Sequence, residues 1–543
     1  EIARQKQLEQ EKVVFNQNDV SKPTKVYGID FGATYSSIAI VDEFGKPVTV
    51  PNHFHSPVTP SVVYFEPGYN VYVGDVAKEA LAVEPELVCF DVKLQLGKED
   101  YVFSAHGTDY RLETVIALIL SKLVKDANEV LEENVKDVVI AYPGYFGLEE
   151  KVAISNAAKM AGLNVVNAIL EPVAAAYSYG LLDNDAPKTV LIYDLGGVSF
   201  DVTIVKTMNG LAEIVAVGGD HYLGGKDWDD AIREYTINTY CEQTGESSDS
   251  VYDDSEAMGD LKLKAEMAKK QLTQKEKAII KLNGEKIEIT RELFDEKTHD
   301  QLESTITKTR ETMANAAKKG VTAYDKILLV GGSTRMPQVM ERLKQEFPNT
   351  PIEFCDPDHS VAKGAAIYGI NMAAFNQSEG EEIKNNPIFK FGATQPEPLH
   401  IINVISQSIA VRLYCQDDQL HIVNQIYKDT EIPCQYELNA GTQVANQTSV
   451  NIEIFENASN DEYVEEELCK PLVDGELGPL PENLPAGAPI DVIFKIDENG
   501  LLSIDAEHKP SGATKHLEVN LQNALTQKEL EEEKKKVSGL RIQ

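Results

Sequence analysis

Residues 190–205 read VLIYDLGGVSFDVTIV. An apolar strand leads into Asp-Leu-Gly-Gly and then into a second strand, a pattern typical of a tight hairpin turn. Small residues at such a turn let backbone N–H groups approach phosphate oxygens, and a carboxylate beside them can hold Mg²⁺, usually through water. Val198 stands where a third small residue is expected. The stretch therefore predicts a phosphate-binding turn with one unusual residue.

The same pattern occurs earlier in the chain, where residues 26–41 read VYGIDFGATYSSIAIV. The matching positions are Asp30 with Asp194, Gly32 with Gly196, and the hydroxyl residues Thr34 and Ser199. Two such hairpins that face each other could bind the β- and γ-phosphates of a nucleotide from both sides. A single turn of this kind is common, so the repetition carries the prediction. A duplicated hairpin that binds no ligand is the alternative.

A third glycine-rich segment, residues 327–337, reads ILLVGGSTRMP. A buried strand ends there in Gly331 and Gly332, followed by Ser333 and Arg335. Close backbone approach beside a guanidinium that can stack on a ring suits a purine base. Taken alone, the segment is equally consistent with an ordinary strand-to-helix turn.

Composition and charge restrict the function classes. The chain has 543 residues, which is too long for one core and predicts two to four domains. A formal net charge of -36 disfavours nucleic acid and anionic membranes as main partners. The six cysteines have no C-x-x-C spacing, which argues against a zinc site or a disulfide framework and favours a reducing compartment. We therefore expect a cytoplasmic protein that binds neither nucleic acid nor membrane.

The periodicity of apolar residues divides the chain into five parts. Residues 1–25 are polar and predict a mobile tail. Strands alternate with amphipathic helices over residues 26–376, which indicates an α/β domain. Residues 377–403 are a linker, residues 404–523 carry short alternating strands typical of a β-sandwich, and residues 524–543 begin a charged helix that the end of the sequence cuts short.

The motifs in their order resemble those of the seventy-kilodalton heat-shock chaperones of the DnaK type. They are DFGATYS, IAYPGYF, LEPVAAAYSYG, YDLGGVSFD and LVGGSTRMP, and the similarity covers roughly residues 26–530. It implies an actin-like, two-lobed ATPase domain that binds ATP or ADP with Mg²⁺, followed by a β-sandwich that holds extended apolar peptide. The implied partners are unfolded polypeptide, a J-domain co-chaperone and a nucleotide-exchange factor.

The resemblance also assigns roles to single residues. The implied catalytic residues are Lys93, Glu171, Asp194 and Ser199, and the implied holders of Mg²⁺ through water are Asp30 and Asp194. The implied nucleotide-binding residues in the two hairpins are Asp30, Gly32, Ala33, Thr34, Tyr35, Gly196, Gly197 and Asp201. Those beyond the hairpins are Gly224, Gly225, Glu266, Lys269, Lys270, Thr273, Gly331, Gly332, Ser333, Arg335 and Asp358. Without the resemblance, Glu266, Lys269, Lys270 and Thr273 are a charged face of one helix.

Two further sets follow from the resemblance. Val411, Tyr414, Val450 and Ile452 match the peptide pocket approximately, although strand residues of this kind are more often core. Pro143 matches a residue thought to relay the nucleotide state between the domains, and Lys151 belongs to the same relay. Recognition of the peptide would use backbone hydrogen bonds and apolar pockets.

The sequence departs from the family pattern at several positions. Ala33 replaces a phosphate-binding threonine, which removes a hydroxyl contact worth about 1–3 kcal/mol. Val198 replaces a glycine and adds roughly 1–2 kcal/mol of strain if the position needs a positive φ. Lys151 replaces arginine, and Lys226 replaces glutamate, which reverses a charge near the nucleotide. The linker segment 399–403 contains His400, and most of the helical lid is absent from the sequence.

Three functions fit these observations. The first is an ATP-dependent chaperone with weak ATPase activity. The second is a non-hydrolysing or very slow relative that acts as a nucleotide-stabilised scaffold. The substitutions at Ala33 and Val198 are the reason to consider it. The third is a small-molecule kinase on the same actin-like core, which the β-domain after residue 404 disfavours.

Overall fold

The computed structural model describes residues 25–68, 70–96, 98, 101–144, 146–181, 187–208, 211–378, 400–415, 419–497, 502–518, 525 and 527–543. The predicted N-terminal tail, apart from Lys25, and most of the predicted linker lie outside these ranges.

The first lobe is built from strands in the first third of the chain. They are β1 (Tyr27–Asp30), β2 (Tyr35–Val41), β3 (Pro47–Thr49), β4 (Thr59–Pro60), β5 (Val63–Phe65), β6 (Asn70–Val73), β7 (Val88–Cys89), β8 (Val102–Ala105), β9 (Thr108–Arg111), β10 (Asp137–Tyr142) and β11 (Asn164–Leu170). The main sheet has the order β11-β10-β1-β2-β3, and β4 pairs with β2. Its central strands are buried on both faces, which explains their continuous apolar sequences.

The second lobe repeats this arrangement. Its strands are β12 (Lys188–Leu195), β13 (Phe200–Met208), β14 (Leu211–Asp220), β15 (Lys277–Leu282), β16 (Glu285–Thr290), β17 (Lys326–Val330) and β18 (Ile352–Phe354). The order β18-β17-β12-β13-β14 matches β11-β10-β1-β2-β3 strand for strand, with antiparallel hairpins β1–β2 and β12–β13 and parallel pairs β1–β10 and β12–β17. The sequence repeat therefore corresponds to a repeat of the whole sheet.

Helices cover both sheets. They are α1 (Asp75–Glu79), α2 (Leu112–Leu131), α3 (Leu148–Met160), α4 (Glu171–Ser178), α5 (Gly225–Thr244), α6 (Ser248–Tyr252), α7 (Ser255–Leu272), α8 (Arg291–Lys297), α9 (His299–Lys318), α10 (Pro337–Glu346) and α11 (Ser360–Ser378). Each lobe has its own apolar core, and a third core that includes α4 and α11 joins the two sheets. This core supports the floor of the cleft between the lobes.

The C-terminal domain is a β-sandwich. Its strands, with the strand that leads into it, are β19 (His400–Val404), β20 (Ser408–Tyr414), β21 (Leu420–Ile426), β22 (Glu431–Ile432), β23 (Cys434–Gly441), β24 (Val450–Asn457), β25 (Tyr463–Val464), β26 (Lys470–Leu477), β27 (Pro489–Ile496), β28 (Leu502–His508) and β29 (Ala513–Glu518). A five-stranded sheet, β25-β21-β20-β24-β26, faces a four-stranded sheet, β23-β27-β28-β29. Alternate side chains of both sheets form a single core, as two-layer packing requires.

Two segments join the sandwich to the lobes. Strand β19 pairs in parallel with β14 of the second lobe and antiparallel with β22 of the sandwich. The C-terminal helix α12 (Gln527–Gly539) packs on the first lobe, where Leu530 and Val537 enter its core. The strand β30 (Arg541–Ile542) then pairs with β6. The prediction that the charged helix continues to the end of the sequence is wrong, since the helix ends at Gly539 and a strand follows.

The predicted α/β domain, β-sandwich and C-terminal helix are all present. No helix among the described residues is long and apolar enough to cross a membrane.

Candidate functional site

The turns of the two repeated hairpins meet across the cleft. A Cβ built on Gly197 lies 1.9 Å from Thr34 Oγ1, so only glycine lets the second turn approach the first this closely. A Cβ on Gly32 lies 2.0 Å from the Tyr35 carbonyl oxygen, so the first turn is equally tight. The second turn is closed by a hydrogen bond from the Gly196 N–H to the Ser199 carbonyl. The structure thus brings together the two turns that the sequence predicts to face each other.

Val198 fits into its turn without backbone strain. Its φ is not in the left-handed region, so the condition under which we expected strain at this position is not met. Its side chain is buried. Room for its backbone comes from Gly224, where a Cβ would lie 2.4 Å from the Val198 nitrogen.

A cluster of carboxylates surrounds one lysine behind the turns. Lys93 Nζ lies 2.8 Å from Glu171 Oε1, and both side chains are buried. Burial alone lowers the pKa of Lys93, but the charges of Glu171 and Asp30 reverse this effect and the pKa is raised. The lysine is therefore cationic. The cluster still holds more carboxylates than the single ammonium can neutralise.

The remaining carboxylates of this cluster hold protons unusually strongly. Burial and the nearby Glu171 raise the pKa of Asp30 to about 7 and that of Asp194 to about 8. Burial also raises the pKa of Asp201 well above its usual value, which the hydrogen bond with Ser199 only partly offsets. Their proximity to each other and their poor solvation suit a divalent cation, which would neutralise the excess charge.

The polar side chains of helix α7 make two separate sets of contacts, one with Tyr35 and Lys78 and one with Gly225. Glu266 accepts a hydrogen bond from Tyr35 Oη at 2.7 Å and pairs with Lys78, while Lys270 Nζ donates to Tyr35 Oη at 2.9 Å. Lys269 points elsewhere: its Nζ donates to the Gly225 carbonyl at 2.7 Å. Thr273 Oγ1 bonds only to its own helix among the described contacts. The local sequence gives no indication that Lys78 belongs to this site, because only the fold brings Lys78 next to Glu266.

The third glycine-rich segment lies against the second hairpin. Gly331 has φ 81° and its position leaves no room for a side chain, since a Cβ would lie 2.3 Å from the Leu195 carbonyl oxygen. Ser333 Oγ donates to the Gly196 carbonyl at 2.8 Å. Arg335 Nε donates to Asp358 Oδ2 at 3.1 Å, and the Arg335 side chain is half exposed. A Cβ on Gly332 would reach Asp358 Oδ1 at 2.8 Å.

A family model described as Hsp70 protein matches residues 26–105 and 98–540, which is nearly the whole chain. The chain belongs to the Hsp70 family. Its function is therefore of the chaperone kind, and its two-lobed domain is an ATPase domain of the kind that binds ATP or ADP with Mg²⁺ in this family.

The four residues predicted for the peptide pocket of this Hsp70 do not share one surface. Val411 and Ile452 are each 3% exposed and belong to the core of the sandwich. Tyr414 is 52% exposed, and Val450 packs partly against the core. Of the four, Tyr414 and Val450 are the ones that a peptide can reach in this arrangement.

Pro143 and Lys151, the residues predicted to relay the nucleotide state, lie where the sandwich of this Hsp70 meets the first lobe. Pro143 accepts a hydrogen bond from the Phe146 N–H, and the Phe146 carbonyl accepts one from Ser406 Oγ of the sandwich. Lys151 is on α3, and burial lowers its pKa. Nearby, Glu149 pairs with Lys470 of the sandwich.

A second interdomain contact has no signal in the sequence. Asp429, in the loop between β21 and β22, is buried against the second lobe, where its Oδ1 accepts a hydrogen bond from the Val217 N–H. Lys319 Nζ donates to the Val215 carbonyl at 2.8 Å and to the Asp429 carbonyl at 2.6 Å. Lys319 thus bridges the ATPase domain and the sandwich. Both residues are ordinary loop residues in the sequence.

Proposed function

We propose that this Hsp70 is an ATP-dependent chaperone that binds extended apolar segments of unfolded polypeptide, with an affinity controlled by ATP binding and slow hydrolysis. The observation that carries the proposal is the physical connection between cleft and sandwich. Strand β14 follows directly on β13 of the second phosphate hairpin, and β14 pairs with β19, which leads into the sandwich. A shift of the second lobe is therefore transmitted to the sandwich through hydrogen-bonded strands. A J-domain co-chaperone and a nucleotide-exchange factor are the partners we propose from family membership.

The residues of the cleft have separate roles in the proposed reaction. When bound, Mg²⁺ would supply positive charge against the phosphate oxygens, and Asp30 and Asp194 are the residues that would hold it. The Lys93 ammonium neutralises charge that develops on the γ-phosphate. Glu171, which Lys93 positions, orients the attacking water together with Asp194, and Ser199 contacts the γ-phosphate.

Positioning and charge make up nearly all of this chemistry, as in other phosphoryl transfer. In this proposal the adenosine end is formed by Lys270, Ser333 and Arg335. Ala33 supplies no hydroxyl to the phosphates, so a slow or non-hydrolysing scaffold remains the competing function. The unstrained backbone of Val198 removes one of the two reasons for that alternative.

The interdomain connection predicts a change in peptide affinity. We expect ATP to weaken the binding of a fluorescent apolar heptapeptide at least tenfold relative to ADP, measured by fluorescence anisotropy on the full chain. Lys319→Ala should reduce this ratio, because Lys319 joins the Val215 and Asp429 carbonyls. Lys318→Ala is the matched control, since this neighbour contacts only Asn315 of its own helix among the described contacts. Equal peptide affinity with ATP, with ADP and without nucleotide would refute the proposed coupling.

The carboxylate cluster predicts a pH dependence of nucleotide binding. Asp30 and Asp194, with pKa values of about 7 and about 8, are largely protonated below those values and must ionise to hold a cation. The affinity for Mg²⁺-ADP should therefore increase as the pH rises through this range, with release of protons on binding. Isothermal titration calorimetry in buffers of different ionisation enthalpy measures both quantities. Asp30→Asn should reduce the dependence, and an affinity that is constant across the range would contradict the prediction.

A further inference from the structure

One face of helix α7 closes the outer part of the cleft. Gly259, Leu263, Glu266 and Lys270 follow each other at intervals of three or four residues, and Lys262 lies three residues after Gly259 and four before Glu266, so all five lie on the same side of the helix. All five contact the first lobe. The outer parts of the two lobes therefore touch along this helix from Gly259 to Lys270.

Gly259 permits the closest approach. A Cβ at this position would lie 1.7 Å from the Leu81 carbonyl oxygen of the first lobe, so α7 rests directly on that backbone. One turn further on, Leu263 packs against the small apolar cluster of Val62, Ala77, Leu81 and Val88. Shape complementarity at this contact requires that the cleft is closed.

Charged groups complete the contact beside Leu263. Asp91 of the first lobe lies between two lysines of the second lobe: its Oδ2 is 3.0 Å from Lys226 Nζ and 3.5 Å from Lys262 Nζ. The Lys262 ammonium also lies 3.3 Å from the centre of the Phe90 ring. Asp91 is 14% exposed, so its carboxylate has exchanged most of its water for these two cations.

The same group of residues reaches the phosphate site from both lobes. Lys226 donates its backbone N–H to the Gly197 carbonyl at 2.7 Å, so the lysine that pairs with Asp91 also holds the second phosphate turn. On the first lobe, Asp91 is two residues before Lys93. Separation of Asp91 from Lys226 therefore pulls on both sides of the nucleotide site.

We propose that Asp91, Lys226 and Lys262 form an interlobe latch that keeps the cleft closed and slows the release of nucleotide. The latch explains the reversed charge at position 226. The glutamate that the family resemblance leads one to expect there would repel Asp91, whereas lysine attracts it. The proposal rests on the proposed function, because release presupposes that the cleft binds nucleotide.

The test measures the release of a fluorescent ADP analogue from the full chain by stopped flow. Lys226→Ala should accelerate release about two- to fivefold, as loss of a partly exposed ion pair predicts. Lys226→Glu places two carboxylates together and should accelerate it about tenfold or more. Lys277→Glu is the control, because Lys277 forms an exposed pair with Glu288 on the same lobe away from the cleft.

The variant Asp91→Ala identifies the partner. In the Asp91→Ala background, Lys226→Glu should accelerate release no further, since the repulsion needs the Asp91 carboxylate. Full additivity of the two changes, or unchanged release in Lys226→Glu, would overturn the proposal.

Hydrogen exchange of the nucleotide-free protein separates this proposal from the proposed function. Lys226→Glu should increase amide exchange in residues 80–96 and 255–263, which form the two sides of the latch. Increased exchange with unchanged release would refute the role in release. If the wild-type protein binds no ADP, both the proposed function and the proposed role in nucleotide release are refuted. Increased amide exchange in Lys226→Glu would even then support closure of the cleft by the latch.

Discussion

Replacement of Lys93 by alanine is expected to reduce ATP hydrolysis in a single turnover by about a hundredfold to a thousandfold. Among the described residues, Lys93 is the one cation that pairs with Glu171 in this cluster. Its loss leaves charge on the γ-phosphate without a partner and leaves Glu171 without the group that positions it. Rapid-quench measurement of phosphate release from a preformed enzyme–ATP complex reports this step directly.

The matched control for that experiment is Lys98→Ala. Lys98 lies on the same segment but is exposed and contacts only Gln95 among the described residues. It should hydrolyse ATP at the wild-type rate. Hydrolysis that is equally slow in the wild type and in Lys93→Ala would instead favour the scaffold function.

Replacement of Gly197 by alanine is expected to weaken ATP binding about tenfold or more, since overpacking of a tight contact typically costs about 1–3 kcal/mol. The added Cβ would lie 1.9 Å from Thr34 Oγ1 and 2.8 Å from Thr34 Cβ, so rotation of the threonine side chain does not relieve the overlap. The two hairpin turns must separate, and the phosphates lose simultaneous contact with both. Calorimetric titration with ATP measures the loss.

Gly196→Ala provides the comparison within the same turn. A Cβ at Gly196 has the Ser199 carbonyl oxygen as its nearest neighbour at 3.4 Å, which is an ordinary contact. This variant should bind ATP more tightly than Gly197→Ala. Equal losses in the two variants would show that the turn is sensitive to any side chain and that contact between the hairpins is not the cause.

Local patterns predicted the architecture of this Hsp70 because its strands and turns are specified by neighbouring residues. The hairpins around Asp30 and Asp194 each consist of an apolar strand, a small-residue turn and a second strand, which period and composition reveal. The same reasoning placed Glu266 and Lys270 on one helix face. It also placed Lys269 with them, although the structure directs Lys269 towards Gly225.

Contacts between distant segments were not predicted. Lys78 meets Glu266, Asp91 meets Lys226, and Lys319 meets Asp429, and each pair is separated by more than a hundred residues. A single sequence does not show which residue a charged side chain will contact in the folded protein. Whether Val198 is strained was open in the sequence for a related reason: the backbone of a turn depends on what packs against it, and here Gly224 leaves the necessary space and the φ of Val198 is not positive.

The sequence by itself determined the duplicated phosphate hairpins, the order of an α/β domain before a β-sandwich, and the residue types available for phosphate and cation chemistry. These properties are local, since strand periodicity, glycine at turns and carboxylates beside them are set within about ten residues. Only the tertiary structure decided that the two turns touch at Gly197 and Thr34, that burial raises the pKa values of Asp30 and Asp194, and that Lys226 faces Asp91. Proximity, burial and electrostatic coupling arise from chain segments that meet only when the lobes close, and for that reason a single sequence does not contain them.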